Sequence, residues 1–323
     1  MKVLGIGNSL VDILIKVNDK DFKKTNIAKG SMNLIDDKKL EEAENIISHY
    51  NKEMAAGGSA ANTIDGLSRL GIDTGFIGKV GKDQYGDFFI NYMRNAKINT
   101  FISKGNQKTG RAIVFITPDS ERTFLTFLGS SIELSSEDLQ EDIFKHYDIL
   151  HIEGYLIYNH GLIDKAMEFA KKHNLKISLD LASFNVVRDN LNYIKSIVQK
   201  GINFLFANEE EAREFTGIKD PEKSTFDIAK NVEYSIVKIG KKGSLVVYKD
   251  KLHRIEPYPV NAIDTTGAGD MYASGFLYGI IKNLEIDNAG MIGSLTSSEV
   301  VKVIGAKLSK STWEDIKNKI AGP

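Results

Sequence analysis

Short, mostly apolar runs alternate with amphipathic stretches of helical period along most of this chain. Runs of this kind are typical of strands that are buried on both faces of a sheet. We predict such strands over residues 3–6, 75–77, 149–152, 176–179, 204–206 and 235–239. We predict helices between them over residues 38–50, 59–70, 85–96, 164–173, 191–199 and 209–215. Because strands and helices alternate, we expect a parallel sheet with helices on both faces.

The last third of the chain departs from this alternation. Strand-like stretches follow one another with short turns, which predicts antiparallel strands at one edge of the sheet over residues 231–240, 243–248 and 252–257. The pattern then becomes helical, and we expect helices over residues 267–282, 287–304 and 311–320.

Two other segments, residues 13–35 and 98–128, break the rhythm. In the first, Ile13, Ile15 and Val17 recur at the spacing of a strand with one buried face. In the second, two strand-like stretches flank a turn at residues 118–120. We therefore predict a small second sheet, inserted into one domain that spans residues 1–323.

Composition narrows the class of protein. The 323 residues suffice for one large α/β domain, and 42% of them are hydrophobic, which is enough for a core. The formal net charge is −1 with no extended basic run, so we expect neither nucleic acid nor a membrane as a partner. The lack of cysteine excludes disulfides, thiolate nucleophiles and cysteine-based metal sites. Without a signal-peptide pattern or an apolar run of membrane-spanning length, we predict a cytoplasmic protein.

The most informative motif is Asp-Thr-Thr-Gly-Ala-Gly-Asp at residues 264–270, directly before a helical pattern. Gly267, Ala268 and Gly269 leave room for a ligand to approach the backbone. The N–H groups of a first helical turn lack intrahelical partners and, with the helix dipole, favour an anion such as phosphate. Asp270 would repel that anion, and a role as general base toward an attacking hydroxyl explains its position. The structural alternative is a first-turn aspartate that only interacts with the dipole.

A second glycine-rich motif, Ala-Gly-Gly-Ser-Ala-Ala-Asn at residues 56–62, also opens a predicted helix. Gly57 and Gly58 permit close approach of a polyhydroxyl ligand, and Asn62 can both donate and accept hydrogen bonds. Gly71 suits the C′ position at the end of this helix.

These two motifs resemble those of the ribokinase-like (PfkB) family of carbohydrate and nucleoside kinases. Smaller matches follow in family order: Gly7-Asn8 with Asp12, residues 78–83 with Gly86, Asn-x-x-Glu at 208–211 and Gly-x-x-Gly at 240–243. The resemblance therefore covers nearly the whole chain. Residues 29–35 and 121–123 look most like the adenosine-kinase-like branch of the family.

The resemblance implies an α/β protein with a three-layer αβα ribokinase-like fold, a mostly parallel central sheet and a small β-sheet lid over the substrate, contributed by residues of about 13–35 and 98–128. It implies a phosphotransferase that uses ATP and Mg²⁺ to phosphorylate an alcohol group of a nucleoside or sugar. An adenosine-like nucleoside is favoured, and ribose, fructose or another sugar is the alternative. A catalytically inactive sugar- or nucleotide-binding regulator is the alternative from another class. A monovalent cation such as K⁺ is a possible further cofactor. The protein is expected to be a monomer or a homodimer formed through the lid.

The resemblance also implies roles for individual residues. Catalysis would involve Asp270, Gly267, Ala268, Gly269 and Arg122. The phosphate acceptor would contact Asp12, Asn8, Gly57, Gly58 and Asn62. The nucleotide would contact Asn208, Lys238, Gly240, Gly243, Thr266, Gly267 and Gly269. Glu211 would reach Mg²⁺ through water, because Mg²⁺ keeps much of its hydration shell.

Several of these residues have structural alternatives. Asn208 and Glu211 have the spacing of a capping box, which competes with the metal role or accompanies it. Residues 240–243 suit an ordinary hairpin turn, and Lys238 stands where the family has a threonine. Arg122 is either a solvated charge on a strand or a contact to the transferred phosphate, and Asp12 is either a hairpin aspartate or a clamp for hydroxyl groups.

Other nucleotide and metal sites are not indicated. The Gly5-x-Gly7 turn lacks the third glycine of a dinucleotide fingerprint, because Leu10 occupies that position. No P-loop pattern occurs. The six histidines do not have metal-ligand spacing.

Overall fold

The computed structural model describes residues 1–119 and 121–322. Its strands are β1 (Val3–Ile6), β2 (Leu10–Lys16), β3 (Met32–Leu34), β4 (Glu53–Gly57), β5 (Thr74–Val80), β6 (Asn99–Lys104), β7 (Gly110–Ile116), β8 (Arg122–Phe127), β9 (Ile149–Glu153), β10 (Lys176–Asp180), β11 (Phe204–Asn208), β12 (Tyr234–Lys238), β13 (Ser244–Tyr248) and β14 (Lys251–Ile255).

Its α-helices are α1 (Asp19–Lys23), α2 (Asp37–Ile46), α3 (Ser59–Arg69), α4 (Gln84–Asn95), α5 (Glu141–Phe144), α6 (His160–Lys172), α7 (Phe184–Asp189), α8 (Leu191–Gln199), α9 (Glu209–Thr216), α10 (Pro221–Ala229), α11 (Ala268–Ile281), α12 (Ile286–Val300) and α13 (Lys310–Ala321). Short 3₁₀ turns lie at Gly129–Glu133, Ser136–Asp138, Gly154–Tyr158 and Gly240–Lys242.

The large sheet has nine strands in the order β14-β13-β12-β11-β10-β9-β1-β5-β6. The strands from β12 to β6 are parallel to their neighbours, and β13 and β14 are antiparallel at one edge. One hydrophobic core packs α3, α4, α11 and α12 on one face, and a second packs α6, α8, α9 and α10 on the other. The predicted three-layer αβα fold with a mostly parallel central sheet is therefore confirmed.

A second sheet of five strands has the order β3-β8-β7-β2-β4. Side chains alternate along β2: Val11, Ile13 and Ile15 enter the core, whereas Asp12 and Leu14 are half-buried on the opposite face. Because paired residues in neighbouring strands share a face, Ala112, Val114 and Phe124 lie on the side of Asp12 and Leu14. We call this surface the inner face of the small sheet.

The segments predicted for the small sheet need two corrections. Strand β6, within the predicted range 98–128, pairs in parallel with β5 at the edge of the large sheet. A half-buried edge strand has the same period as a lid strand, so the pattern could not separate them. Strand β4, which was not predicted, pairs with β2 through a sequence of small residues with low strand propensity. Of the predicted turn at 118–120, Ser120 lies outside the described residues.

Most predicted helix bounds lie within one residue of the observed ones, and three differ by four residues: the start of α6, the end of α12 and the end of α2. That helix ends at Ile46 and not at Tyr50, and the Tyr50 hydroxyl instead donates a hydrogen bond of 2.6 Å to Asp21 Oδ2. This contact outside the helix outweighs the local helical pattern. The short helices α1, α7 and α10 were not predicted, because their few turns give no clear period.

Glycines allow α11 and α12 to pack closely. A Cβ atom on Gly275 would lie 2.6 Å from the Ile292 carbonyl oxygen and 2.5 Å from Thr296 Oγ1. In α6, a Cβ atom on Gly161 would approach nothing nearer than Asn159 Oδ1, at 4.0 Å.

We expect Gly275→Ala to lower the free energy of unfolding by ~1–3 kcal/mol, because the added methyl group overpacks the α11–α12 contact. Gly161→Ala, also a helical glycine substitution, should be neutral or stabilise by up to ~1 kcal/mol. Equilibrium urea unfolding measures both variants. Equal stabilities of the two variants would contradict the close packing.

Candidate active site

Polar and charged residues lie together where the parallel strands end. Asn8 follows β1, and Glu153, Asp180, Asn208 and Lys238 are the last residues of β9, β10, β11 and β12. Carboxyl ends of parallel strands meet at one edge of a sheet, and ligands of open α/β sheets bind outside that edge. The N-termini of α3 and α11 are brought to the same edge.

The start of α11 has unpaired backbone donors. Gly267 is the N-cap residue with φ +76°, and its carbonyl accepts the Met271 N–H at 2.9 Å. The Ala268 N–H donates to the Thr265 carbonyl at 3.2 Å. Among the described residues, the N–H groups of Gly267, Gly269 and Asp270 have no acceptor. Ala268 is therefore a correction to the predicted set of anion donors, because its own turn already occupies its N–H.

The Asp270 carboxylate is held from α3. The Ser59 hydroxyl donates to Asp270 Oδ1 at 2.7 Å, and the Asn62 amide donates to Oδ2 at 2.9 Å. The pKa of Asp270 is raised to about 6. Burial is the main cause, the hydrogen bonds from Asn62 and Ser59 oppose it, and the nearby Asp180 adds to it. A carboxyl with this pKa is ionised at neutral pH and still basic enough to accept a proton.

Asn8 lies behind the site and not at its surface. Its side-chain amide donates to Glu153 Oε1 at 2.6 Å, and Glu153 Oε2 accepts the Ala60 N–H at 3.0 Å. Gly58, at φ +104°, turns the chain from β4 into α3 while packing against the Asn8 carbonyl. The bond between Asn8 and Glu153 ties β1, β9 and α3 together, and a substrate contact at Asn8 stays a prediction.

Asp12 faces the site from the small sheet. Gly57 packs directly against its carboxylate, and any side chain at that position would collide with it. Burial raises the pKa of Asp12 to about 6, and the nearby Lys307 ammonium opposes this shift. Lys307 pairs with Asp65 Oδ2 at 3.2 Å. Asp12 and Gly57 are thus adjacent, as the motif predicted, and Lys307 is an additional charge beside them.

The predicted capping box at the start of α9 is confirmed. The Glu211 N–H donates to Asn208 Oδ1 at 2.9 Å, and the Asn208 N–H donates to Glu211 Oε2 at 2.8 Å. The Asn208 amide also donates to Glu211 Oε1 at 2.7 Å, so both carboxylate oxygens are engaged. Burial raises the pKa of Glu211 to about 7, which the Lys238 ammonium opposes. The capping role leaves Glu211 suited to a metal only through intervening water.

No three acidic or histidine side chains in residues 1–119 and 121–322 are arranged to hold a metal ion directly. The carboxylates of Asp180, Glu211 and Asp270 nevertheless influence one another through space. These residues therefore fit a hydrated Mg²⁺ that is carried in by phosphate groups, and not a cage made of protein ligands.

Lys238 reaches from the end of β12 to the start of α11. Its ammonium donates to Asp180 Oδ2 at 3.1 Å. A Cβ atom on Gly269 would lie 3.0 Å from Lys238 Nζ. The following Gly240–Lys242 turn and Gly243 connect β12 to β13, with φ of +57° at Gly240 and +89° at Gly243. Asn208 pairs with Lys238 in the sheet, so these predicted nucleotide residues share one edge.

Asp264 organises the loop before α11. Its Oδ1 accepts the Thr266 N–H at 3.0 Å and the Thr266 hydroxyl at 2.8 Å, and its Oδ2 accepts the Gly305 N–H at 2.8 Å. Arg122 on β8 pairs with Asp264 Oδ1 at 3.2 Å and donates to the Ile263 carbonyl at 2.6 Å. Beside this pair a cleft of about 520 Å³ separates β8 from the loop, and Phe124 and Thr266 line it. Arg122 therefore joins the small sheet to the loop and is not a solvated charge.

The structure brings to the site residues that the sequence motifs did not indicate. They are Ser59, Glu153, Asp180, Asp264 as an acceptor, and Lys307. Glu153 and Asp180 carried a usable signal, since each is a carboxylate directly after a buried strand. No sequence signal indicated Lys307, because the path of the chain after α12 decides where this residue lies.

The chain is similar to known proteins over most of its length. The model of the pfkB family of carbohydrate kinases matches residues 24–313. A 5-dehydro-2-deoxygluconokinase from Clostridium beijerinckii is 30% identical over 282 residues, which cover 81% of this chain and 83% of that protein. A crystal structure of a probable sugar kinase from Rhizobium etli is 31% identical with a TM-score of 0.86, covering 98% of this chain and 97% of the other.

The structure of adenosine kinase from Sinorhizobium meliloti is 30% identical with a TM-score of 0.85, covering 97% of this chain and 98% of the other. The chain belongs to the pfkB family of carbohydrate kinases, and the resemblance to that family is confirmed. It is therefore a carbohydrate kinase, and the family implies ATP as phosphoryl donor. Within the described residues, no helix is long and apolar enough to cross a membrane.

Glu153 provides a pH-dependent test of the site's framework. Burial raises its folded-state pKa to about 7, from 4.5 in an unfolded chain. The folded state therefore holds the proton more tightly, and this stabilisation is fully present below the unfolded pKa and is lost as pH rises through the folded pKa.

We expect the stability of the wild type relative to Glu153→Gln to fall as pH rises from about 4.5 to about 8, by on the order of 3 kcal/mol. Urea unfolding of both proteins across this pH range measures the difference, in which the titrations of groups that do not interact with Glu153 cancel. A difference that does not change with pH would contradict a proton bound at Glu153.

Proposed function

We propose that this kinase transfers the γ-phosphoryl group of ATP to an alcohol of a ribonucleoside, with adenosine as the first candidate. The observation that carries the proposal is the Asp270 carboxylate beside the unpaired N–H groups that open α11, opposite Asp12 on the small sheet. A base and an anion site lie side by side, as phosphoryl transfer requires.

Asp270 accepts the proton of the attacking hydroxyl as its oxygen bonds to the γ-phosphorus. The bond between that phosphorus and the bridging oxygen breaks, and ADP leaves with the electron pair. Ser59 and Asn62 orient Asp270 in this step through their hydrogen bonds. The unpaired N–H groups of Gly269 and Asp270 stabilise charge on the phosphoryl oxygens.

Mg²⁺, when bound with ATP, would neutralise phosphate charge among these carboxylates. Glu211 would act on it through water, because both of its oxygens accept bonds from Asn208.

The acceptor would lie on the inner face of the small sheet. Asp12 can accept hydrogen bonds from two neighbouring hydroxyl groups. Leu14 and Phe124 are half-buried on the same face, and Phe124 also borders the cleft beside Arg122. An apolar and aromatic surface beside a hydroxyl clamp suits a flat base attached to a ribose. The likeness to the S. meliloti adenosine kinase supports the same choice.

A sugar or sugar acid is the second candidate, supported by the likeness to a 5-dehydro-2-deoxygluconokinase. An inactive binding protein on the same fold is disfavoured, because Asp270 retains its supporting bonds from α3.

ADP release measured across adenosine, other nucleosides, ribose, fructose and 5-dehydro-2-deoxygluconate tests the proposal. We expect the highest kcat/KM with adenosine, and we expect Asp270→Asn to lower kcat by ~10²–10⁴-fold with ATP affinity nearly unchanged. A higher kcat/KM with a sugar or sugar acid than with adenosine would identify that compound, and not a nucleoside, as the phosphate acceptor. Near-normal kcat in Asp270→Asn would exclude Asp270 as the base.

The small sheet is proposed to close over the acceptor and exclude water that would otherwise hydrolyse ATP. Arg122 would then turn from Asp264 toward the charge developing on the phosphoryl group. We expect Arg122→Ala to lower kcat by ~10²-fold and to change KM for ATP much less. Lys16→Ala, an exposed cation on the same sheet, is the control and should leave both constants unchanged. If Arg122→Ala changed kcat and the KM for ATP by the same factor, the only role of Arg122 would be to hold the loop before α11.

A further inference from the structure

We propose that Lys238 is a second catalytic residue: its ammonium group bonds the transferred phosphoryl group at the start of α11, and Asp180 positions it there. This inference rests on the proposed kinase reaction and deepens it. The resemblance places residue 238 among the nucleotide contacts, but the family has a threonine there, so a cationic contact to the transferred phosphoryl group is not implied by it.

The position of the Lys238 ammonium supports a direct contact to phosphate. Nζ lies 3.0 Å from the place where Gly269 would carry a Cβ atom, so it faces the backbone that opens α11. Because residue 269 is glycine, no side chain separates the ammonium from the backbone that opens α11. A phosphoryl oxygen that accepts from the unpaired N–H groups of this turn would therefore lie close to the cation as well.

Electrostatics keep the Lys238 side chain charged at the start of α11. The N-terminus of a helix carries partial positive charge, so an ammonium at that end is unfavourable by itself. The side chain of Lys238 is only 17% exposed, so water screens it weakly. Burial lowers its pKa, yet the carboxylates of Asp180 and Glu211 outweigh burial and hold the pKa above its usual value. Lys238 therefore stays charged beside the backbone that opens α11, with the carboxylates of Asp180 and Glu211 on its other side.

Asp180 holds the Lys238 ammonium in position but accepts only one of its hydrogen bonds. Its Oδ1 accepts the Ala182 N–H at 2.9 Å, and its Oδ2 accepts from Lys238 at 3.1 Å. That is the one hydrogen bond of Nζ to the described part of the chain, and an ammonium has three donors. The remaining donors are free for phosphoryl oxygens.

A structural alternative makes a different prediction. Lys238 also neutralises a group of buried carboxylates, and that role needs no ligand. If it were the whole role, removing the charge would lower stability and weaken every ligand alike. A phosphate contact would instead act only on ligands that carry the outer phosphates, and on kcat.

The test compares Lys238→Met with the control Lys251→Met, which removes an exposed lysine from β14 of the same sheet. Calorimetric titration with inorganic pyrophosphate and with AMP separates the outer phosphates from the rest of the nucleotide. We expect Lys238→Met to bind pyrophosphate at least ~10-fold more weakly, to bind AMP as the wild type does, and to lose ~10²-fold in kcat. Lys251→Met should match the wild type in all three. Asp180→Asn should lower kcat while AMP binding stays unchanged.

Unchanged pyrophosphate affinity in Lys238→Met, or an equal loss for pyrophosphate and AMP, would overturn the inference. Should Lys238→Met fail to fold, Lys238→Thr provides the neutral variant with the family's residue, and Lys238→Arg should retain pyrophosphate binding. Failure of the kinase proposal would be seen separately, as a wild type that releases no ADP with any acceptor. The pyrophosphate comparison would still decide whether Lys238 binds phosphate.

Discussion

The hydrogen bonds from Ser59 and Asn62 to the Asp270 carboxylate are the interaction on which the site depends. They join the first turns of α3 and α11, which come from opposite ends of the chain. Close packing makes the junction possible, because a Cβ atom on Gly66 of α3 would lie 2.6 Å from Ser274 Oγ of α11. The two glycine-rich motifs are therefore halves of one structure. One half presents the backbone donors and the other fixes the base beside them.

The same junction gathers several acidic side chains. Asp12, Glu153, Glu211 and Asp270 all have raised pKa values, with burial as the first cause in each. Carboxylates in this setting are held in place by directed hydrogen bonds, as in the Glu153 bonds to Asn8 and Ala60. A polyphosphate adds further negative charge, so its binding requires cations. This requirement gives Mg²⁺ and Lys238 a common electrostatic purpose in the proposed reaction.

The sequence was sufficient to predict the layers of the fold and the two glycine-rich motifs, because both depend on local pattern. Buried strands and amphipathic helices have distinct periods, and the start of α11 is a local backbone feature. The bond between the Asn8 amide and Glu153 could not be predicted, because no local pattern indicates it. Strand β6 was misplaced for a related reason, since the choice between two sheets is made by tertiary pairing. Residues whose role depends on a distant partner, such as Lys307 with Asp65, could not be found from pattern alone.

The pair formed by Arg122 and Asp264 connects the small sheet to the anion site. Asp264 is only 6% exposed, and it holds the loop by accepting bonds from Thr266 and Gly305. A buried carboxylate without a cation is costly, so the conformation of this loop depends on the presence of β8. Any movement of Arg122 toward phosphate would leave Asp264 to the neutral donors of Thr266 and Gly305. In the proposed closed state, the phosphoryl charge must therefore attract Arg122 more strongly than Asp264 does. Since that charge develops only when donor and acceptor are both bound, the pair would couple the completion of the site to the arrival of both substrates.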